Sequence, residues 1–290
     1  MMRWLLRDVC IFAVHISAIF FMKIGISGVV IAHNEAQRIA DCVGSLQRVC
    51  DEVVVVDSFS TDDTVSICES MGCRILQHEF KGHIEQKNWA QHQATYSWIL
   101  SLDADEVLSD ALIAWLLKFR EQLSAEDSEC STITENHAMV AWKFPRLNHL
   151  SGRAIRGCGW YPDRKVRLWK SGYGAWGGSN PHDRIIVNAE HQDRVGDCGH
   201  DILHYTYESY AEVEAQSRKF GTIGAESLRI QGVSKTLLWI KLLSSPWVRW
   251  VKNYLINGGI CYGKDGWVIC YWQWQETFTK YKKALFDTKN

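Results

Sequence analysis

From residue 24 the chain alternates continuous apolar runs with segments in which apolar residues recur at helical spacing. The runs are typical of strands covered on both faces. They are "IGISGVVIA" (24–32), "EVVVVD" (52–57), "CRILQ" (73–77) and "WILSLD" (98–103). The segments between and after them predict helices within 35–49, 60–72, 83–94 and 109–123. This alternation predicts an α/β fold with a doubly wound, mostly parallel sheet and helices on both faces.

Three of these predicted strands end in polar or acidic residues. These residues are Asn34 and Glu35 after the first strand, Asp57 at the end of the second, and Asp103 and Asp105 at and just after the end of the fourth. In open parallel sheets, ligands bind in the crevice outside the carboxyl ends of the strands. The sequence therefore predicts that these side chains converge on one crevice.

The acidic residues favour one way of binding phosphate over another. The chain has no G-x-x-x-x-G-K-[ST] motif, and no G-x-G-x-x-G follows the first strand, so a glycine-rich phosphate cradle is not expected. The D-x-D formed by Asp103 and Asp105 suits Mg²⁺ or Mn²⁺, which takes one or two carboxylates plus substrate phosphate oxygens. The predicted chemistry is a diphosphate held through a divalent cation.

Composition and charge narrow the partners. The formal net charge is −1, so nucleic acid is not an expected partner. Ten cysteines occur without a C-x-x-C pair, which predicts reduced, mostly core thiols in a cytoplasmic protein.

The amino terminus predicts a separate extension over residues 1–21. The apolar stretch at 9–22 has 14 residues, fewer than the ~20 needed to span a bilayer. Two interpretations stay open. Met22 is the true start and residues 1–21 are an over-extended reading frame, or the extension is a short membrane anchor.

The carboxyl-terminal region, residues 235–290, differs from the rest of the chain. Its net charge is +6, against −7 for residues 1–234, and it holds six of the fourteen tryptophans. Basic helices that carry tryptophan bind in the membrane interface. We expect a catalytic domain over 22–234 and a helical, membrane-associating region over 235–290. The alternative is that these helices pack their aromatic residues onto the catalytic domain.

Three segments carry a family resemblance: "VVIAHNEAQRI", "VVVVDSFSTDDTV" and "ILSLDADEVLS". They resemble the signature segments of the inverting family 2 glycosyltransferases, which have the Rossmann-like GT-A fold. With "QKNWA", "WYPDRKVRLWK" and "PHDRI", the chain is similar to the branch of lipopolysaccharide core β-1,4-glucosyltransferases.

The resemblance implies a substrate class and a location. It implies transfer of a hexose, glucose in that branch, from a UDP-linked donor to a lipid-linked glycan of the lipopolysaccharide core. Another surface polysaccharide is the alternative acceptor. The protein would work in the cytoplasm, peripherally bound to the inner face of the cytoplasmic membrane.

Three positions depart from the family pattern. Phe59 stands where a small residue is usual, Asp63 where glycine is usual, and Asp183 where glutamate is commoner. Position 63 is expected to need a turn that glycine tolerates best.

The resemblance also assigns roles in donor binding. It places Asn34, Glu35 and Asp57 at the nucleoside and Asp103 at the donor ribose or the metal. Lys87 would approach the diphosphate; the alternative is an exposed helix lysine. Asp105 is the candidate direct metal ligand, and Asp103 and His204 are further candidates.

An inverting single displacement needs a base for the acceptor hydroxyl. Asp183 is the candidate because it follows a Gly/Ser/Asn/Pro loop and precedes an apolar strand. Asp163 is the alternative base. The competing interpretation is that Asp163 is a turn carboxylate that pairs with Arg164 or Arg167.

The sequence disfavours two other classes of function. A sugar nucleotidylyltransferase would need a glycine-rich basic loop after the first strand, and "AHNEAQRI" has none. An inactive glycan-binding protein would not need Asp57, Asp103 and Asp105 together.

Overall fold

The computed structural model describes residues 22–128, 139–179 and 182–287. The predicted extension, residues 1–21, lies outside them. The described chain forms two units: residues 22–146 with 164–203, and residues 147–163 with 204–287.

Twelve strands occur in the described residues. They are β1 (Lys23–Ala32), β2 (Glu52–Asp57), β3 (Arg74–Gln77), β4 (Tyr96–Asp103), β5 (Glu106–Leu108), β6 (Ala141–Leu150), β7 (Arg153–Ala154), β8 (Asp163–Lys170), β9 (Gly174–Ser179), β10 (His182–Val187), β11 (Val195–Asp197) and β12 (Ile202–Tyr207).

The α-helices of the described residues number seven. They are α1 (Ile39–Gln47), α2 (Thr64–Ser70), α3 (His83–Gln91), α4 (Asp110–Ser128), α5 (Tyr210–Ile230), α6 (Lys235–Val251) and α7 (Lys264–Phe286). Short 3₁₀-helices lie at Ala189–Arg194 and Gly259–Tyr262, and a π-helical turn at Lys252–Ile256.

The first unit is built on a mostly parallel sheet in the order β3-β2-β1-β4, with β8 antiparallel beside β4. In register, Ala32 of β1 lies opposite Asp57 of β2, and Ile31 lies opposite Asp103 of β4. The three strands therefore end at one edge of the sheet. The predicted α/β class, with a sheet dominated by parallel strands, is confirmed.

Both faces of this sheet are covered, which explains the continuous apolar runs. Val30 and Val55 face a core that α1 and α4 complete. Val29 and Val54, one position away, face a second core that includes residues of α3 and of the β9–β10 hairpin. Because successive strand side chains point to opposite faces, every position of these strands must be apolar.

The second unit consists mainly of α5, α6 and α7 around a smaller apolar cluster that includes Val213 and Ile269. Helices α5 and α7 approach closely at Gly221, where an added Cβ would lie 3.0 Å from the Glu276 carbonyl oxygen. This packing places α5 and residues 147–163 with the carboxyl-terminal helices. The second unit thus begins before residue 235, the boundary expected from charge. None of the helices in the described ranges has both the length and the apolar character to cross a bilayer.

The backbone corrects one expectation about the β2–α2 loop. Asp63 has φ −75°, an ordinary right-handed value, so position 63 does not need glycine. Phe59 instead has φ +59°, in the left-handed region that favours glycine. Glycine would suit this conformation at position 59 better than phenylalanine does.

Candidate active site

The loops after β1 and β2 are joined by hydrogen bonds. Asn34, itself left-handed at φ +56°, accepts from the Thr61 N–H at 2.8 Å through Oδ1. Its own N–H donates to Ser60 Oγ at 2.9 Å, and the Glu35 N–H donates to Thr64 Oγ1 at 2.8 Å. The H-N-E and S-T-D-D segments therefore form one continuous wall of the crevice.

Asp57 is fully buried at the end of β2. Its carboxylate accepts from the Ser60 N–H at 3.0 Å and from the Ser60 hydroxyl. These bonds fix the turn at 58–60. The predicted contact between Asp57 and a nucleobase stays a prediction.

Lys87 lies at the centre of the acidic crevice. Its Nζ is 2.6 Å from Asp103 Oδ1 and 2.7 Å from Asp183 Oδ2, and it lies 4.3 Å from the centre of the Trp176 ring. Only 5% of the residue is exposed, so the alternative of an exposed helix lysine is wrong. The crevice brings together Lys87, Asp103 and Asp183, all three predicted site residues.

The neighbours of Lys87 on α3 fix that helix in place. Gln86 donates to Ser58 Oγ at 3.0 Å. Asn88 binds both backbone polar groups of Trp176, accepting from its N–H at 3.0 Å and donating to its carbonyl at 2.8 Å. The "QKNWA" motif thus connects the β2 loop, the acidic crevice and β9. The roles of Gln86 and Asn88 depend on contacts with distant segments, so the motif alone does not predict them.

Asp103 belongs to a buried network of ion pairs. Arg167 donates to Asp103 and, at 2.6 Å, to Glu106, which also accepts from Arg146 at 3.0 Å. Burial opposes ionisation of Asp103, but Arg167 and Lys87 outweigh it and hold the pKa of this carboxyl well below its usual range. Asp103 is therefore a permanent anion at the crevice. The sequence alone predicts no role for Arg146 or Glu106, and it suggests Arg167 only as a partner of Asp163.

The side chains of Asp105 and Asp103 are equally exposed, at 27% each. The Asp105 carboxylate lies 4.0 Å from Arg38 Nη1. Burial, and then the Asp105 charge, raise the pKa of nearby Glu35. Two neighbouring, partly exposed carboxylates form a donor set that a hard divalent cation fits.

The part of the chain described contains no cluster of three or more His, Cys, Asp or Glu side chains suited to a metal. Both oxygens of Asp103 already contact cationic side chains, Lys87 and Arg167. The role of Asp105 as the direct metal ligand stays a prediction; phosphate oxygens would complete the coordination.

The two remaining predicted residues belong to the second unit. Asp163 begins β8, while Arg164 pairs with Asp197 and Arg167 with Asp103 and Glu106. His204 Nδ1 lies 2.6 Å from Asn148 Oδ1 and 3.0 Å from Thr206 Oγ1. Their roles as base and as metal ligand stay predictions.

A sequence family matches the segment that carries this crevice. Glycosyl transferase family 2 matches residues 27–172, half of the chain. The chain belongs to glycosyl transferase family 2. Residues 27–172 include β1, β2, α3 and β4, and with them Asn34, Asp57, Lys87, Asp103 and Asp105.

Relatives of this family 2 glycosyltransferase include bacterial proteins. An uncharacterized glycosyltransferase of Rickettsia felis is 46% identical over 87 residues, 30% of this chain and 31% of the relative. One of Rickettsia conorii is 27% identical over 84% of this chain and 83% of its own length. The lipopolysaccharide core biosynthesis glycosyltransferase LpsC of Rhizobium meliloti is 28% identical over 81% of this chain and 83% of its own.

Solved structures similar to this glycosyltransferase are more distant. The mannosyltransferase PcManGT of Pyrobaculum calidifontis, in complex with GDP-Man and Mn²⁺, is 13% identical, covers 97% of this chain and 98% of its own, and has a TM-score of 0.49. TarS 1–349 of S. aureus is 16% identical, covers 91% of this chain and 90% of its own, and has a TM-score of 0.40.

Proposed function

We propose that this family 2 glycosyltransferase is an inverting, metal-dependent enzyme that transfers a hexose from a UDP-linked donor to a lipid-linked glycan. Glucose is the proposed sugar, and the lipopolysaccharide core the proposed acceptor. The relative named as a lipopolysaccharide core glycosyltransferase, similar over 81% of this chain, supports this acceptor over other surface polysaccharides. Family membership favours a transferase over a nucleotidylyltransferase or an inactive glycan-binding protein.

The observation that carries the proposal is the position of Lys87 between Asp103 and Asp183. A diphosphate that enters the crevice would present anionic oxygens to the Lys87 ammonium group. These oxygens would replace one of its two carboxylate partners, Asp103 or Asp183. Because Lys87 is nearly buried, its interaction with a phosphate is screened little by solvent. Donor binding would thus draw Lys87 away from Asp183.

Asp183 is the proposed base. Its side chain is 12% exposed and belongs to the β9–β10 hairpin, in register opposite Gly178. Its carboxylate would accept the proton of the acceptor hydroxyl while that oxygen bonds to the anomeric carbon and the bond to the diphosphate breaks. Attack from the face opposite the leaving group inverts the anomeric configuration.

Asp105 would hold Mg²⁺ or Mn²⁺, with Asp103 as its fixed anionic neighbour. Such an ion neutralises the charge that develops on the departing diphosphate. Asn34 and Glu35 belong to the adjacent wall and Asp57 lies buried beside it, and we propose that the nucleoside binds there.

Helix α6 supports peripheral membrane binding. One side of it exposes large apolar side chains to solvent: Trp239, Ile240, Leu243, Trp247 and Val251 are between 43% and 69% exposed. The surrounding segment is basic, which suits the anionic inner face of the cytoplasmic membrane. Membrane binding would bring the enzyme to the surface that holds a lipid-linked acceptor.

A donor screen tests the proposal. The full-length protein is incubated with UDP-glucose, UDP-galactose or GDP-mannose, with Mn²⁺, with Mg²⁺ or with a chelator, and release of the nucleoside diphosphate is measured. We expect metal-dependent hydrolysis or transfer that is fastest with UDP-glucose. Metal-independent turnover would overturn the metal assignment, and preference for another donor would overturn the assignment of glucose. No turnover of any donor with a core glycolipid acceptor present would favour the inactive binding protein.

A further inference from the structure

The second unit contains a cavity that the transferase reaction does not use. Its volume is about 720 Å³, within the ~300–1,000 Å³ of small-molecule sites. Residues of α5, α6 and α7 line it together with Gly159 and Trp160. All of its lining residues belong to this one unit.

Helix α6 gives the cavity one continuous side. Lys241, Ser244, Ser245, Val248 and Lys252, at the end of the helix, recur at intervals of three and four and all line the cavity. The exposed apolar side defined above lies next to this stripe, and the buried residues Leu238, Leu242 and Pro246 form a third side. The cavity face of α6 is therefore distinct from the face proposed for the membrane.

The cavity carries positive charge at its rim. Lys241 and Lys252 are both exposed, and within the described ranges neither ammonium group makes a hydrogen bond or ion pair. The third cation, Arg249, donates to Glu276 at 3.0 Å and to Thr277 Oγ1 at 2.8 Å, so its charge is compensated. The lining therefore offers lysine ammonium groups at two separate places on the rim, because Lys241 and Lys252 lie eleven residues, about 16 Å, apart along the helix.

The floor of the cavity is polar and fixed. Asn253 donates to Gln273 at 2.7 Å, and Gln273 donates to the Cys158 carbonyl at 3.1 Å. Both side chains are buried, at 8% and 7% exposure. The backbone of Gly159 packs closely against Asn253. A Cβ at position 159 would lie 2.6 Å from Asn253 Oδ1. A satisfied network of this kind holds one geometry.

The walls are apolar and aromatic. They include Trp160, Tyr207, Phe220, Val248 and Ile269. Burial, with smaller effects of Glu276 and Glu212, raises the pKa of Tyr207 to about 12, so its phenol stays neutral and adds no negative charge. The cavity thus combines apolar walls and a polar floor with lysines at the rim.

We propose that this cavity binds a single amphiphilic phosphate, with the phosphate at one of the two rim lysines, Lys241 or Lys252, and the alkyl part against the aromatic walls. Lipid phosphates have this combination of a compact anion and an apolar chain. A lysine ammonium group gives charge-assisted hydrogen bonds to phosphate oxygens. The proposal does not rest on the transferase reaction.

Calorimetry on the full-length protein tests it, with dodecyl phosphate below its critical micelle concentration as the probe. We expect saturable one-to-one binding of dodecyl phosphate and binding at least about tenfold weaker for inorganic phosphate or dodecyl maltoside. Equal affinity for inorganic phosphate would make this a plain oxyanion site, and equal affinity for dodecyl maltoside a plain apolar groove. Either result overturns the proposal. A short-chain phosphatidylglycerol, measured alongside, separates a diester headgroup from a monoester; binding of either one supports it.

Matched variants locate the site. Lys241→Gln with Lys252→Gln should weaken dodecyl phosphate binding about tenfold or more, whereas Lys235→Gln with Lys282→Gln removes the same charge outside the cavity and should not. Val248→Glu should also abolish binding. Leu243→Glu adds the same charge on the apolar face of α6 and should leave binding intact. Because Val248 and Leu243 are 64% and 69% exposed, both variants should fold. Equal losses in each matched pair would overturn the assignment to this cavity.

Discussion

The Lys87 ammonium nitrogen lies 2.7 Å from Asp183 Oδ2, although the two residues are 96 positions apart in the chain. The same nitrogen contacts Asp103 at the end of β4. Lys87 therefore couples the β9–β10 hairpin, which carries the proposed base, to the carboxylates proposed to lie beside the metal. A donor diphosphate would compete for this lysine and thereby make Asp183 available to the acceptor.

Asp183→Asn should lower kcat by about 10²- to 10⁴-fold, the usual contribution of general-base catalysis. The affinity for UDP should be unchanged or tighter, because Lys87 loses a competing carboxylate. Kinetics with the best donor, together with calorimetry of UDP binding, measures both effects.

Three further variants serve as controls for the base. Asp183→Glu keeps a carboxylate and should retain more activity than the amide. Asp193→Asn, at an exposed aspartate of the same unit, should change nothing. If Asp163→Asn collapses kcat at unchanged UDP affinity while Asp183→Asn does not, the base is Asp163.

Asp105→Asn should abolish metal-stimulated activity while preserving the fold, since the side chain is partly exposed and nearly the same size as the amide. The apparent affinity for Mn²⁺, measured by titration in the presence of UDP, should fall because the ion loses an anionic ligand. An unaltered Mn²⁺ requirement would remove Asp105 from the metal site. Asp193→Asn again provides the matched control.

Sequence patterning predicted the strand ends well and the contacts between distant segments poorly. Asn34, Asp57 and Asp103 reach one edge because parallel register follows from the alternation of strand and helix. The pairing of Arg167 with Glu106, 61 residues away, depends on how β8 lies against β4, which no local pattern encodes. The net charge changes at residue 235, whereas the close packing of α5 against α7 occurs earlier in the chain, at Gly221, so charge alone does not mark where a packed unit begins.

Glu106→Gln should be strongly destabilising. Glu106 is fully buried and holds both Arg146 and Arg167, so its removal leaves two largely buried cations with Asp103 as their shared partner. Breaking a buried ion pair costs about 3–5 kcal/mol, and we expect the lower part of this range because Asp103 remains. Urea unfolding measures the change, with the exposed Glu121→Gln on α4 as the control. A loss equal to that of the control would show that the network contributes nothing to stability.

Replacing Leu243 and Trp247 by glutamine should weaken binding to vesicles rich in phosphatidylglycerol. If the membrane interface buries about half of each of these two exposed side chains, they contribute about 2 kcal/mol to binding, or roughly thirtyfold in partitioning. Co-sedimentation measures it. Ile230→Gln, at an 82% exposed apolar residue of α5, is the control for exposed apolar area alone. Unchanged partitioning of the double variant would favour the view that the carboxyl-terminal helices serve packing rather than membrane binding.

Glu52→Gln tests an acid-sensitive contact at the start of β2. Glu52 accepts from Ser27 Oγ at 2.6 Å and from the N–H and hydroxyl of Thr95 at 2.7 and 2.8 Å. Burial opposes ionisation, but the bonds from Ser27 and Thr95, aided by Arg74, prevail and lower the pKa of Glu52 below 4.5. In the unfolded chain the carboxyl takes up its proton at higher pH than in the folded chain. Its contribution to stability is therefore complete above the unfolded pKa and is lost as the pH falls through the folded pKa.

The variant should accordingly lose about 1 kcal/mol of unfolding free energy at pH 7, where the wild-type carboxylate is charged and hydrogen-bonded. The difference from wild type should shrink as the pH is lowered through the folded pKa, because Glu52 of the wild type then becomes neutral as well. Urea unfolding at pH 7 and at several lower pH values measures this convergence. Glu69→Gln, at an exposed glutamate of α2, should track the wild type throughout. A gap between Glu52→Gln and wild type that stays constant with pH would mean that ionisation of Glu52 is not what stabilises this end of β2.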